Sequence, residues 1–206
     1  MKKLKHFIGE FKKGYIYCIA GRPGIGKTTL LKEIIKDEKD KKITVFSLET
    51  KREKFMTGLE NHKNITVYDT IRTIEDIEKV LWESKPEIVA IDYFQLLNCI
   101  GNNFYEIYAV ASIQLKKLSK KLGIPIIIVS QIGRECEKRI DKRPRLDDFR
   151  YTSYGALQQD ADCIMFLYND HYYDLAKESK QEVIIVKNRG GEIGTIVKKQ
   201  KRSEKI

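Results

Sequence analysis

Eight consecutive residues, Gly21-Arg22-Pro23-Gly24-Ile25-Gly26-Lys27-Thr28, limit what this chain can fold into more than any other stretch. They satisfy G-x-x-x-x-G-K-[ST] and stand between an apolar, β-prone run at 15–20 and a helical pattern at 27–36. Strand, glycine loop and helix in that order make a cradle for phosphate. The glycines let the backbone curl so that successive N–H groups point inward, and the helix adds the positive end of its dipole. In such a loop Lys27 reaches the β- and γ-phosphates of a nucleoside triphosphate and the Thr28 hydroxyl ligates Mg²⁺. The expected nucleotide-binding residues are Gly21, Arg22, Pro23, Gly24, Ile25, Gly26, Lys27, Thr28 and Thr29.

Strand and helix patterns alternate downstream of the loop. Residues 43–48, 65–68, 87–92 and 125–130 read as strands, and 51–61, 73–84 and 104–122 as helices. The runs at 87–92 and 125–130 are nearly unbroken apolar, as expected of central parallel strands covered on both faces. Beyond Gln131 come a polar, basic loop through Arg145, a short helical piece near 156–160, and apolar runs at 163–168, 182–187 and 195–197 that suggest late antiparallel strands. The expectation is an α/β fold: a mostly parallel central sheet flanked by helices, with antiparallel strands at the end. With 206 residues, no repeat and no Pro/Gly/Ser linker, one domain over 1–206 is the simplest organisation, ending in a basic tail at 198–206.

Composition narrows the partners. Lys and Arg outnumber Asp and Glu by 39 to 29, and a net charge of +10 favours polyanions such as nucleic acid, although a Lys-rich compositional bias accounts for it equally well. Cys18, Cys99, Cys136 and Cys163 are scattered singly, which suggests neither a zinc site nor a disulfide scaffold and fits a reducing cytoplasm. No apolar run reaches the roughly 18 residues of a membrane span, and no apolar segment follows Lys2, Lys3 and Lys5 as in a secretion signal.

An α/β sheet concentrates chemistry at the carboxyl ends of its strands, and three polar residues end apolar runs. Ile88-Val89-Ala90-Ile91-Asp92 places an acid where a Mg²⁺-holding carboxylate belongs; on its own such an acid is more often a cap or turn former. Val45-Phe46-Ser47-Leu48-Glu49 ends in a carboxylate able to polarise an attacking water. The run ending Ser130-Gln131 offers an amide able to sense the γ-phosphate, and for both Glu49 and Gln131 the alternative is a solvated strand end.

Taken together, the segments resemble the RecA-like ATPase domain of DnaB-like replicative DNA helicases. The likeness runs in order through Gly21–Thr29, Ser47-Leu48-Glu49, Ile91-Asp92-Tyr93-Phe94-Gln95-Leu96-Leu97, Ser130-Gln131, Gln159-Asp160-Ala161-Asp162 and Lys187-Asn188-Arg189-Gly190-Gly191. The stretch from Leu115 to Pro125 is also similar to the family's helix leading into the strand before the glutamine. The resemblance implies ATP and Mg²⁺ as cofactors and a catalytic set of Lys27, Glu49 as base, Asp92, Gln131, Lys187 and Arg189. In this family Lys187 and Arg189 would act on the nucleotide of a neighbouring subunit, in a homo-hexamer moving on single-stranded DNA, with a primase or helicase loader as a further partner.

The resemblance is looser over the DNA-contacting loops. Asp148-Phe149-Arg150 and Gly155 onward match in order, making Arg150 and Gly155 the DNA-binding candidates, but 151–154 is about two residues longer than the family spacing and Gln158 stands where an acid is common. Nothing matches the family's N-terminal helical domain or its linker. A RecA-like recombination or regulatory ATPase is the runner-up, and a nucleotide-binding ring or loader component without unwinding activity a third reading.

Overall fold

A computed structural model describes residues 2–99, 101–150 and 155–199. Its strands are β1 (Ile16–Gly21), β2 (Ile43–Ser47), β3 (Ile65–Tyr68), β4 (Ile88–Asp92), β5 (Ile126–Gln131), β6 (Cys163–Asn169), β7 (Lys180–Asn188) and β8 (Gly194–Lys199). They form one sheet in the order β3-β2-β4-β5-β1-β6-β7-β8. The first six run parallel, β7 pairs antiparallel with β6 and β8 antiparallel with β7, so the expected architecture stands. The change of direction falls after the first of the three late runs: β6 pairs parallel with β1, because the chain between β5 and β6 crosses over the sheet before re-entering it.

The helices are α1 (Lys2–Ile8), α2 (Lys27–Asp37), α3 (Arg52–Met56), α4 (Ile74–Ser84), α5 (Phe104–Leu122), α6 (Asp147–Arg150), α7 (Gly155–Asp160) and α8 (Asp170–Tyr173). Side chains of β1 alternate between two cores. Ile16, Cys18 and Ala20 face Ile77, Leu81, Leu115, Leu118 and Leu157 of α4, α5 and α7, whereas Tyr17 and Ile19 face Leu4, Ile8, Leu30, Ile34 and Phe55 of α1, α2 and α3. Burial of each such Leu, Ile or Phe stabilises the sandwich by about 1.5–3 kcal/mol.

Several elements depart from the sequence pattern. The helix expected over 51–61 stops at Met56, because Gly58 adopts φ 80 and the chain turns to bring Leu59 into the core beside Phe55. α1 has no counterpart in the sequence reading: its lysines mask Leu4 and Ile8, which are fully buried. The basic loop after β5 holds a 3₁₀ turn, Glu135–Lys138, and α6. Arg139 fixes it with a two-point bond to Asp148 at 2.7 and 2.9 Å, and Arg143 ties it to Glu182 of β7 at 2.6 and 2.8 Å. Lys198 and Lys199, counted with the basic tail, close β8; residues 200–206 and the 151–154 loop lie outside the described residues.

Candidate active site

Gly21, Ser47, Asp92 and Gln131 are the last residues of β1, β2, β4 and β5, so four parallel strands deliver them to one edge of the sheet. Register makes the set compact: Gly21 lies beside Gln131, and Ser47 beside Asp92. Between β1 and α2 the loop closes with Gly26 at φ 100, a left-handed conformation that a β-carbon would strain. The same β-carbon would lie 2.8 Å from the Gln181 amide nitrogen. That amide donates a 2.8 Å hydrogen bond to the Ile25 carbonyl, so the start of β7 holds the loop's curl from below.

A cavity of about 390 Å³ opens over the loop. Pro23, Gly24, Gly26, Lys27, Thr28, Thr29, Glu49, Asp92 and Gln131 line it, while Gly21, Arg22 and Ile25 are buried beneath it. Arg22 turns its side chain away from the cavity, donating to Glu137 at 2.7 Å and to the Ile132 carbonyl at 2.9 Å. Its part is therefore to anchor the loop's backbone. Gln95 does the same for the end of β5, with its amide donating to Ser130 Oγ at 2.9 Å and accepting from the Gln131 N–H at 3.3 Å.

The charges inside the cavity are held under tension. Lys27 donates to the Arg22 carbonyl at 2.9 Å, and burial pushes its ammonium down to about 8, against the pull of Asp92 and Glu49. Asp92 is raised above the usual carboxylate range, chiefly by burial and further by Glu49, although the Thr28 hydroxyl donates to its Oδ2 at 2.7 Å. Its other oxygen, Oδ1, is buried and has no hydrogen-bond partner among the described residues. A buried, unpaired carboxylate oxygen beside a hydroxyl is an oxygen-donor set that suits a hard divalent cation. The Mg²⁺ expected from the sequence fits these residues.

Lys187 and Arg189 are not in this cavity. β7 runs antiparallel to β6, which brings Lys187 level with Ile164 and places Arg189 beside Asp162, where β1 and β6 begin. The Arg189 guanidinium donates to Asp162 Oδ1 at 3.3 Å, and Lys187 donates to the Gln158 and Gln159 carbonyls of α7 at 2.8 and 3.1 Å. Burial, then the neighbouring Arg189, lower the Lys187 ammonium from its ordinary value. The five residue steps of β1 alone separate Ile16 from Gly21 by about 17 Å. No single chain in this conformation can bring Arg189 to its own loop.

Gly155 begins α7 and is half-buried, and Arg150 closes α6; both helices pack on the α5 side of the sheet. Sequence reasoning missed Gln181, Gln95 and Asp162. Asp162 accepts from the Ile16 N–H at 2.8 Å and from Lys116, fixing the start of β1. Only Gln95 and Asp162 had a signal, lying inside the family-like motifs; Gln181 has none.

Comparison with known proteins identifies the family. The family model described as DnaB-like helicase C terminal domain matches residues 1–79 and 59–204. Replicative DNA helicase DnaC of Bacillus subtilis is 29% identical over 238 aligned positions, covering 94% of this chain and 52% of the relative. That alignment is longer than the 206-residue chain, so the relative carries residues inside the matched span that are missing here. Among solved structures, one described as an ATPase domain superimposes with a TM-score of 0.86 at 30% identity, covering 95% of this chain and 84% of that one. A DnaB-like replicative helicase, described with its interactions with primase, gives 0.88 at 30% identity, covering 96% and 57%. The chain spans about half the length of the curated relative it matches. With the family model matched over more than half of its length, the chain belongs to the DnaB-like helicase C-terminal domain family.

Proposed function

We propose that this chain is the ATP-hydrolysing motor of a DnaB-like replicative DNA helicase, driving movement along single-stranded DNA. The observation that carries the reading is the separation of the two halves of the catalytic set. Lys27, Thr28, Glu49, Asp92 and Gln131 line one cavity, while Lys187 and Arg189 stand at the other end of the sheet. A set divided in this way is completed between two copies, so hydrolysis depends on assembly, with a homo-hexameric ring as the family arrangement.

In that assembly Lys27 and the loop amides bind the triphosphate; Thr28 and Asp92 would hold Mg²⁺, which would supply charge neutralisation to the triphosphate. Glu49 accepts the proton of the attacking water, Gln131 senses the γ-phosphate, and the neighbour's Arg189 meets the charge that develops on transfer. Arg150 and Gly155, flanking the 151–154 loop, contact the DNA. A primase or helicase loader is the further partner, and the four free cysteines suit a cytoplasmic setting. ATP turnover measured with and without single-stranded DNA, followed by unwinding of a forked duplex, tests the reading. Stimulation by DNA and strand separation are expected; turnover indifferent to DNA would refute it.

A further inference from the structure

The turn that carries Arg189 packs little of itself: it contains Gly190, Gly191 and Gly194, and its Ile193 is exposed. Glycine-rich backbone is the most expensive to hold in one conformation. What holds it is the segment from Phe7 to Lys12. The Asn188 amide donates to the Phe7 carbonyl at 2.9 Å and to the Glu192 carbonyl at 3.0 Å, and its oxygen accepts from the Gly190 N–H at 3.1 Å. Lys12 donates to the Gly190 carbonyl at 3.0 Å. The glycines are what this contact requires. A β-carbon at Gly191 would collide with the Phe7 carbonyl, and one at Gly194 would sit 2.7 Å from the Phe7 ring.

We propose that Asn188 is a positioning residue for Arg189, clamping the turn against residues 7–12 so that the guanidinium is presented at a fixed place to the neighbouring copy. The inference rests on the reading of Arg189 as acting between chains. Asp162 holds the arginine's backbone N–H at 2.8 Å and its side chain at 3.3 Å, which fixes one side of the turn. Asn188 fixes the other. Without it, the turn can pivot about Arg189, and displacement of a catalytic group by about 1 Å costs on the order of a hundredfold in rate.

Mixed oligomers provide the test. Lys27→Ala chains lack a working loop but keep Arg189; Arg189→Ala chains lack the arginine but keep the loop. A mixture is expected to recover ATP turnover at interfaces where the intact halves meet, and no recovery in oligomers confirmed by sedimentation overturns the inter-chain reading and this proposal with it. Asn188→Asp keeps the acceptor for Gly190 but sets a carboxylate against two carbonyls. Placed in the Lys27→Ala chain, which donates the arginine, it is expected to lower recovered kcat by about a hundredfold with KM for ATP unchanged. Placed instead in the Arg189→Ala chain, it is expected to change nothing. Equal loss in both placements would mark Asn188 as merely structural, and full recovery in both would mark it as dispensable; either overturns the proposal while leaving the inter-chain arginine standing. Lys12→Met, which removes an exposed side chain and spares the core, should show the same one-sided pattern more weakly, and a loss that follows the loop-donating chain instead would count against the clamp.

Discussion

Replacing the lysine on which the site most depends should make the empty protein more stable. Lys27 is buried, and its ammonium is pushed from 10.5 down to about 8. At about 1.4 kcal/mol per unit, keeping it charged in the folded, nucleotide-free state costs about 3 kcal/mol. Lys27→Met removes that cost with little change in volume, and leaves the Arg22 carbonyl without its hydrogen bond at about 1 kcal/mol. A net gain of about 1–3 kcal/mol is expected at pH 7. The pH dependence separates this cause from packing. Between about 8 and 10.5 the unfolded chain holds a proton on Lys27 that the folded chain has lost, so wild-type stability gains on the variant as pH rises through that window. Below about 8 the variant keeps its full advantage; above 10.5 the advantage disappears. Urea unfolding of both proteins without nucleotide and with chelator, from pH 7 to 10.5, measures the difference directly. A variant less stable than wild type at pH 7, or an offset that does not change with pH, would refute the account of a strained, poised lysine.

Glu49→Gln should bind ATP with near wild-type affinity and hydrolyse it about 10²–10⁴-fold more slowly, as single-turnover kinetics would show; loss of binding instead would make Glu49 structural. Gln181→Ala leaves the Ile25 carbonyl without its buried partner and should cost about 1–3 kcal/mol in thermal unfolding, together with weaker nucleotide binding from a loosened loop. Affinity for single-stranded DNA should fall steeply with salt, and Arg150→Ala should lower that affinity while leaving DNA-free ATP turnover in place; fluorescence anisotropy across a salt series checks both.

The cavity at the strand ends was legible in the sequence because its residues end strands. Apolar runs followed by Gly21, Glu49, Asp92 and Gln131 state both the fold and the edge at which chemistry gathers, and the sheet order brings those ends together. The supports were not legible, because each joins residues far apart in the chain: Gln181 to Ile25, Asp162 to Ile16 and Lys116, Asn188 to Phe7. Local pattern carries no sign of such pairings. The short α3 failed for a related reason. Phe55 and Leu59 share a helical spacing, yet Gly58 turns the chain and buries both by another route. Lys187 and Arg189 stood out only through the family likeness; their place at the far end of the sheet follows from β7 reversing direction, a matter of topology.

β7 has a consequence for assembly symmetry. Its first residues brace the phosphate loop and its last present the arginine, so one strand of nine residues links two unlike surfaces. On the proposed inter-chain reading, the surface offered and the surface accepted stand at opposite ends of the sheet, which suits copies joined head to tail. Any open row then ends in one cavity with no arginine and one arginine with no cavity. On that reading turnover per chain should climb as rows lengthen and level off when the row closes on itself, since closure joins the two idle ends.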